Sequence, residues 1–287
     1  MCTIRDLIAQ GVAQLETATA TAQATLGSSA ALDAQLLLAH RLRKPRVFLF
    51  AHPEQPVTSA IAEHFRTDIN RRHQGVPIAY IVGHREFWSL DLTVTAATLV
   101  PRPDTEWLVE TALSRVKNLP APDIADLGTG SGAIALAIGT EREDARIVAS
   151  DVSACALAIA ACNAVRMAQS QICFVRAHWL RSFTGSTFDC IVSNPPYIRL
   201  GDPHLTQGDV AHEPRLALEA GEDGLEAIRE IVHSAPAHLG PNGWLCLEHG
   251  YDQAEAVRTL LQNRGFHDVT TTEDLAGQPR VSVGQIR

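Results

Sequence analysis

Asp126-Leu127-Gly128-Thr129-Gly130-Ser131-Gly132-Ala133 is the stretch that decides the fold. The apolar run at 124–127 before it has strand character, and residues 132–139 after it read as a helix. Glycines at 128, 130 and 132 permit a tight turn and let a ligand approach the backbone closely. The helix start that follows offers free N–H groups. No Gly-Lys-Ser/Thr ending is present, which excludes a Walker loop. The next strand, 146–150, runs into Asp151, 23 residues after Gly128. An acid there can accept hydrogen bonds from both ribose hydroxyls of a nucleoside. Two ligands suit this pattern: a dinucleotide, through the looser fingerprint Gly128-x-Gly130-x-x-Ala133, and S-adenosylmethionine. The loop alone does not choose between them.

Outward from the loop, short apolar strands alternate with helices. Strands are expected at 124–127, 146–150, 172–176, 188–193 and 244–248, with further ones at 266–271 and 280–283. Helices are expected at 105–117, 132–139, 153–167, 224–238 and 253–263. This alternation specifies a mostly parallel sheet with helices on both faces. Upstream the texture is helical. Residues 4–24 are rich in Ala, Leu and Gln. Ser28 or Ser29 caps a helix to Arg41, with Leu32, Leu36, Leu37 and His40 near helical spacing. Thr58 caps another to His73, ended by Gln74-Gly75-Val76-Pro77. Residues 86–95 alternate and are β-prone, which predicts a hairpin. Charge marks a boundary near residue 75. Residues 1–74 hold eight Lys/Arg and six Asp/Glu, net +2, against 16 and 26, net -10, in the remainder.

The overall charge of -8 argues against a protein held mainly by a nucleic-acid backbone or an anionic membrane. The six cysteines form no CxxC pair, and no histidine pattern completes a zinc site. They read as reduced core residues, which places the protein in the cytoplasm. Neither a signal peptide nor a membrane-length apolar run is apparent, so no membrane role is expected.

Asn194-Pro195-Pro196-Tyr197 follows the strand at 188–193 and so sits at a carboxyl end of the sheet, where such folds bind ligands. A planar amino group, in a carboxamide or on adenine, is a poor nucleophile because its lone pair is delocalised. Two acceptors on its two N–H groups would hold it and favour loss of conjugation as it attacks. The Asn194 side chain supplies one carbonyl oxygen. Pro195 supplies a backbone carbonyl, fixed by the proline pair. Tyr197 offers a flat face for the planar group. Joined to the glycine loop and Asp151, the motif points to methyl transfer from S-adenosylmethionine to a planar nitrogen and leaves the dehydrogenase reading without support.

The chain resembles the peptide chain release factor glutamine-N5 methyltransferases along nearly its whole length. The likeness is carried by residues 75–83, Arg85-Glu86-Phe87-Trp88 and Leu99-Val100-Pro101-Arg102-Pro103-Asp104-Thr105-Glu106. Residues 126–135 and 193–197, Asp202-Pro203-His204, residues 207–210, Glu213-Pro214 and Leu247-Glu248-His249-Gly250 complete it. The Asn-Pro-Pro-Tyr motif alone is shared with adenine-N6 DNA methyltransferases; the Pro-Arg-Pro-Asp-Thr-Glu stretch is more specific.

The resemblance implies a seven-stranded, Rossmann-like class I methyltransferase domain. A small N-terminal helical domain and a hairpin linker precede it. The divisions expected are a helical substrate-docking domain at 1–75, a linker at 76–100 and the catalytic domain at 101–287. S-adenosylmethionine is the implied cofactor, contacted by Gly128, Thr129, Gly130, Ser131, Gly132, Asp151, Trp179 and Asn194. Asn194, Pro195, Pro196 and Tyr197 would hold the substrate glutamine, with Asn194, Pro195 and Tyr197 as the catalytic set. The implied partner is a class I release factor, whose Gly-Gly-Gln loop carries that glutamine. The runner-up is an adenine-N6 DNA methyltransferase; a non-catalytic adaptor that binds release factors through 1–74 is a third reading. One departure stands out. Where the family typically has an acid before the aromatic, suited to the adenine amino group, this chain has His178 before Trp179. Ser131 replaces a frequent Thr, and Cys155 a frequent Pro. Asp104 or Thr105 is a candidate helix cap, and His249 reads as structural more than as a base.

Overall fold

The computed structural model describes residues 2–17 and 29–287. Its contacts divide the chain into two units, Met1–His84 with Pro203–His212, and Arg85–Asp202 with Glu213–Arg287. The sequence reading instead divides the chain at 75 and 100 and keeps residues 203–212 with the larger part.

The first unit is helical. Helix α1 (Ile4–Glu16) begins at a capping box in which Thr3 and Asp6 satisfy each other's backbone N–H groups. Helix α2 (Ala30–Leu42) is capped by Ser29, which accepts from the Leu32 N–H. Short helix α3 (Arg46–Ala51), helix α4 (Ser59–His73) and short helix α5 (Ile78–Val82) follow. Thr58 caps α4 as its residue type predicts. The expectation of helix over 4–24 holds to Glu16, where Thr17 caps it; residues 18–24, and Ser28, lie outside the described residues.

Ile4, Leu7, Leu37, Leu38, Phe65 and Ile69 form the core of this unit. Gly11 lets α1 and α4 approach, since a Cβ there would meet Phe65 at 2.9 Å. The buried face of α2 differs from the expected one. Leu36 turns outward, and Asp33, Ala34, Leu37 and Leu38 face in. The cause is an ion pair that an apolar count cannot see. Arg72, 1 % exposed, meets Asp33 at 2.7 Å and Asp209 at 2.6 Å. A buried guanidinium persists only with such partners. Arg72 thereby ties residues 203–212, distant in sequence, to the helical unit.

The second unit opens with a hairpin of β1 (His84–Phe87) and β2 (Leu90–Thr93), turned by Trp88 and Ser89 at φ 52° and 59°. Positive φ at both turn positions matches the twist of paired strands. Helix α6 (Glu106–Val116) leads into β3 (Asp123–Leu127), α7 (Ala133–Glu141), β4 (Arg146–Asp151), α8 (Ala154–Arg166), β5 (Ile172–Arg176) and β6 (Phe188–Ser193). Then come α9 (Glu226–Ser234), β7 (Leu239–Glu248), α10 (Ala254–Asn263), β8 (His267–Glu273) and β9 (Pro279–Gln285).

The sheet has seven strands in the order β5-β4-β3-β6-β7-β9-β8. Pairings from β5 to β7 are parallel, and β9 runs antiparallel to both neighbours. The mixed, mostly parallel sheet agrees with the sequence reading. Two element ends differ. Helix α9 stops at Ser234 because Pro236 lacks the N–H that would continue it; a 3₁₀ turn covers Ala235–Ala237. Strand β7 starts at Leu239 and passes Pro241, earlier than the apolar run at 244–248 indicates.

The cysteines require a correction. Cys190 and Cys246 are buried on neighbouring strands with their sulfurs 3.9 Å apart, yet Cys155, Cys162 and Cys173 are exposed and Cys2 is half-buried. Helix α8 turns Ala156, Ala160, Asn163 and Ala164 inward, so its two cysteines face out. Cys173 lies on the edge strand β5. No disulfide joins any of the six. Among the described residues no helix is long and apolar enough to cross a membrane.

Candidate active site

Strand order reverses at β3, whose neighbours are β4 and β6. A crevice opens at such a switch point, beyond the carboxyl ends of the strands. Register then lines up the distant motifs. Leu127 pairs with Ser150 on one side and Ser193 on the other, and Ser193 pairs with Leu247. The residues just past these pairs, Asp151, Gly128, Asn194 and Glu248, therefore follow one another in that order along a single rim of the sheet. Asp151, Gly128 and Asn194 line a cavity of about 380 Å³ within this unit; Glu248 does not line it.

The loop is built by backbone and one acid. Gly128 and Thr129 N–H groups both donate to the Ser150 carbonyl at 2.8 Å. Asp126 is fully buried; its Oδ2 accepts from the Thr129 hydroxyl at 2.6 Å and from the Ala135 N–H at 3.2 Å. One carboxyl thus clamps the loop to the first turn of α7. Burial pushes its pKa up to about 7. Gly130 has φ 56°, and a Cβ there would meet nothing within 4 Å. The absence of side chains leaves room above the loop. Gly132 has a different function. A Cβ there would meet Leu136 at 3.1 Å and Ala160 at 3.2 Å, so its bareness serves the packing of α7 on α8. It does not line the cavity.

Asp151 accepts from the Gly130 N–H at 2.9 Å through Oδ2 and from the Ser153 N–H at 2.8 Å through Oδ1. Both oxygens keep further acceptor capacity. Trp179 adopts φ 48° and brings its ring to within 3.3 Å of where a Gly128 Cβ would stand. The sequence leaves the acid near Trp179 unaccounted for. In the fold, Glu226 and Glu230 of α9 line this end of the cavity, and His178 Nδ1 lies 3.2 Å from Glu230 Oε1. His178 meets the Trp179 ring edge-on.

The far rim is the Asn194–Tyr197 turn. Asn194 and Pro196 line the cavity; Pro195 and Tyr197 are not among its lining residues. The Asn194 Nδ2 donates to the Thr105 hydroxyl at 3.1 Å. Thr105 therefore serves the site; it makes no side-chain cap on α6, and Asp104 pairs with Arg280 at 3.0 Å instead. The Tyr197 carbonyl accepts from Gln253 at 3.0 Å, and burial holds the Tyr197 phenol well above its ordinary pKa. Ile198 exchanges backbone hydrogen bonds with Leu218 and Ala220, which draws residues 214–220 up as one wall. Arg102 also lines the cavity, paired at 2.6 Å with the buried Glu213.

His249 is buried between the Gly250 carbonyl and the Ser282 hydroxyl, each 2.8 Å from a ring nitrogen. Burial lowers its pKa, and it lies off the cavity, so its role is structural. Among the described residues no cluster of His, Cys, Asp or Glu is arranged to hold a metal ion.

A reversed parallel sheet, a bare glycine loop, an acid at the end of the second strand and an amide at the end of the fourth define a Rossmann-like methyltransferase. A solved methyltransferase from Pyrococcus furiosus has this fold, with a TM-score of 0.51 at 19% identity over 68% of this chain and 88% of its own. The "PrmC N-terminal domain" family matches residues 6–83, and "Methyltransferase small domain" matches 105–213. A release factor glutamine methyltransferase of Pseudomonas aeruginosa is 51% identical over 90% of this chain and 93% of its own. One of Xylella fastidiosa strain Temecula1 is 50% identical over 88% and 92%. The chain belongs to the release factor glutamine methyltransferase family, enzymes whose methyl donor is S-adenosylmethionine.

The residues present fit that donor. The open space above Gly130, the Asp151 acceptors and the Trp179 ring suit, in turn, a chain that must pass close to backbone, a diol and a flat base.

Proposed function

We propose that this protein methylates the side-chain amide nitrogen of the glutamine in the Gly-Gly-Gln loop of class I peptide chain release factors. The observation that carries the reading is the orientation of Asn194. Its Nδ2 is taken by Thr105, so its Oδ1 is the atom left for the cavity, opposite the glycine loop.

Bound S-adenosylmethionine supplies an electrophilic methyl on a cationic sulfur. The chain's own residues bind and align. Gly128 to Ser131 shape the floor, Asp151 accepts from the ribose hydroxyls, and Trp179 stacks on the base. Asn194 Oδ1 and the Pro195 carbonyl each accept one N–H of the glutamine carboxamide, and Tyr197 supports its plane. Held so, the nitrogen lone pair is freed from conjugation as attack proceeds. Most of the acceleration is alignment and exclusion of water. The nitrogen becomes acidic as it gains the methyl, and its proton leaves to solvent without a dedicated base.

The reading assigns residues 1–75 to docking of the release factor, 76–100 to a linker and 101–287 to catalysis. It places the enzyme in the cytoplasm, with no stable nucleic-acid partner and no membrane attachment. Free glutamine could make the same two hydrogen bonds, but remote contacts with the whole release factor are needed to hold the amide in place. The test is transfer of a labelled methyl to three substrates: full-length release factor, the isolated loop peptide and duplex DNA. Strong labelling of the full-length protein and weak labelling of the peptide are expected. Efficient labelling of adenine with unmodified glutamine would replace this reading with the DNA enzyme.

A further inference from the structure

Glu248 ends β7 beside the Asn194 turn and is 1 % exposed. The pairing of Leu247 with Ser193 sets it beside Asn194, and Thr105 and Asn194 are the side chains that offer hydrogen bonds to its charged form, while its Oε2 has no hydrogen-bond partner among the described residues. A buried carboxyl left half-satisfied destabilises a fold. An apolar side chain of like volume would serve packing as well or better. What the carboxylate alone supplies here is an acceptor that cannot also donate.

That property decides which way Asn194 faces. An asparagine amide flipped about its last torsion keeps its shape and exchanges its oxygen for its nitrogen. Facing Thr105 alone, either end is tolerated, since a hydroxyl both donates and accepts. Facing a carboxylate, only the NH2 end is tolerated; the oxygen would meet another oxygen. We infer that Glu248 is a positioning residue for the methyl transfer: with Thr105 it holds the Asn194 NH2 inward, so that Oδ1 is the atom presented to the substrate amide. The inference rests on the proposed grip of Asn194 on the glutamine.

The ionisation of Glu248 then matters. Burial pushes its pKa up to about 7. Asp104 adds to the rise and Arg280 opposes it, while the Tyr197 phenol stays neutral. Once protonated, the carboxyl becomes a donor, and the selection against the flipped amide is lost.

The test uses the full chain with full-length release factor and compares wild type, Glu248→Met, Glu248→Gln and Asn194→Ala. Turnover at saturating cofactor, cofactor Kd by calorimetry and Tm are read for each. For Glu248→Met a fall in kcat of roughly 10–100-fold is expected, smaller than the loss on deleting an aligned polar group itself. Its cofactor Kd should stay within about threefold of wild type, and its Tm should be equal or higher at about pH 8. Wild-type kcat should fall on the acid side of about pH 7, and Glu248→Gln, which permits both amide orientations, should lack that limb. A Glu248→Met enzyme with wild-type kcat would overturn the inference. So would a fall in kcat that tracks equal losses of cofactor binding and Tm, which would make Glu248 merely structural. A normal rate in Asn194→Ala would instead refute the reading of the grip on which the inference stands.

Discussion

The two rims of the cavity lie on adjacent parallel strands and are built by opposite means. The Gly128–Gly132 loop works through what it lacks. Its glycines hold positive φ, and Gly130 leaves open space above it. The Asn194–Tyr197 turn works through what stands behind it: Thr105 from the start of α6 accepts from the Asn194 amide, and Glu248 from the end of β7 is proposed to fix its orientation. A rim made of bare backbone is sensitive to any added atom. A rim made of an oriented side chain is sensitive to loss of its partners. The two should therefore fail differently, one in cofactor binding and the other in turnover.

Gly130→Val should have the largest effect. It places a branched side chain at φ 56° in the space left for the ligand. Calorimetry should detect no S-adenosylmethionine binding, and a wild-type Kd would break the account of the loop rim. Asn194→Ala comes next. Loss of one aligned polar group should lower kcat roughly 10²–10³-fold at saturating cofactor, with Tm little changed. Asp151→Asn should weaken the cofactor by about tenfold or more, the scale of a hydrogen bond to a charged group, and leave kcat at saturation near wild type. A kcat loss without a Kd change would move Asp151 from the first rim to the second.

The smallest effect sharpens the second rim through pH. The folded pKa of Glu248, about 7, lies above its ordinary 4.5. The stability it gives is therefore full below the ordinary value and is lost as pH rises through 7. Relative to Glu248→Gln, wild type should gain about 1 kcal/mol between about pH 8 and about pH 6. Chemical denaturation of both proteins at the two pH values measures this. An unchanged difference would mean that the carboxyl is ionised throughout.

The rims also differ in how far they were legible in the sequence. The glycine loop is contiguous, so its turn chemistry and the acid on the next strand could be read directly, and the sheet with them. Even there the sequence marks Gly132 as a ligand contact, whereas in the structure it is off the cavity lining and its bareness serves helix packing. The turn at 194–197 was legible as a motif, but its support was not. Thr105 and Glu248 are far from it along the chain, and only the pairing of Ser193 with Leu247 and the placement of α6 bring them together. The same limit hid Glu226 and Glu230 in the cavity lining, and the path of residues 203–212 to the buried Arg72. Each depends on long-range placement of a charged group, which apolar periodicity does not report. Cys155 and Cys162 show the converse error: alanine-rich surroundings read as core, while the helix turned them outward.

The central claim is that the cavity presents an amide nitrogen of glutamine to the methyl donor. Peptide-mapping mass spectrometry of a release factor, after incubation with S-adenosylmethionine and either wild-type enzyme or Asn194→Ala, tests it most directly. The account predicts one methyl group on the side chain of the loop glutamine with wild type and only a trace at equal time with Asn194→Ala. An unmodified glutamine with active, cofactor-binding wild-type enzyme, or equal methylation by both proteins, would contradict it.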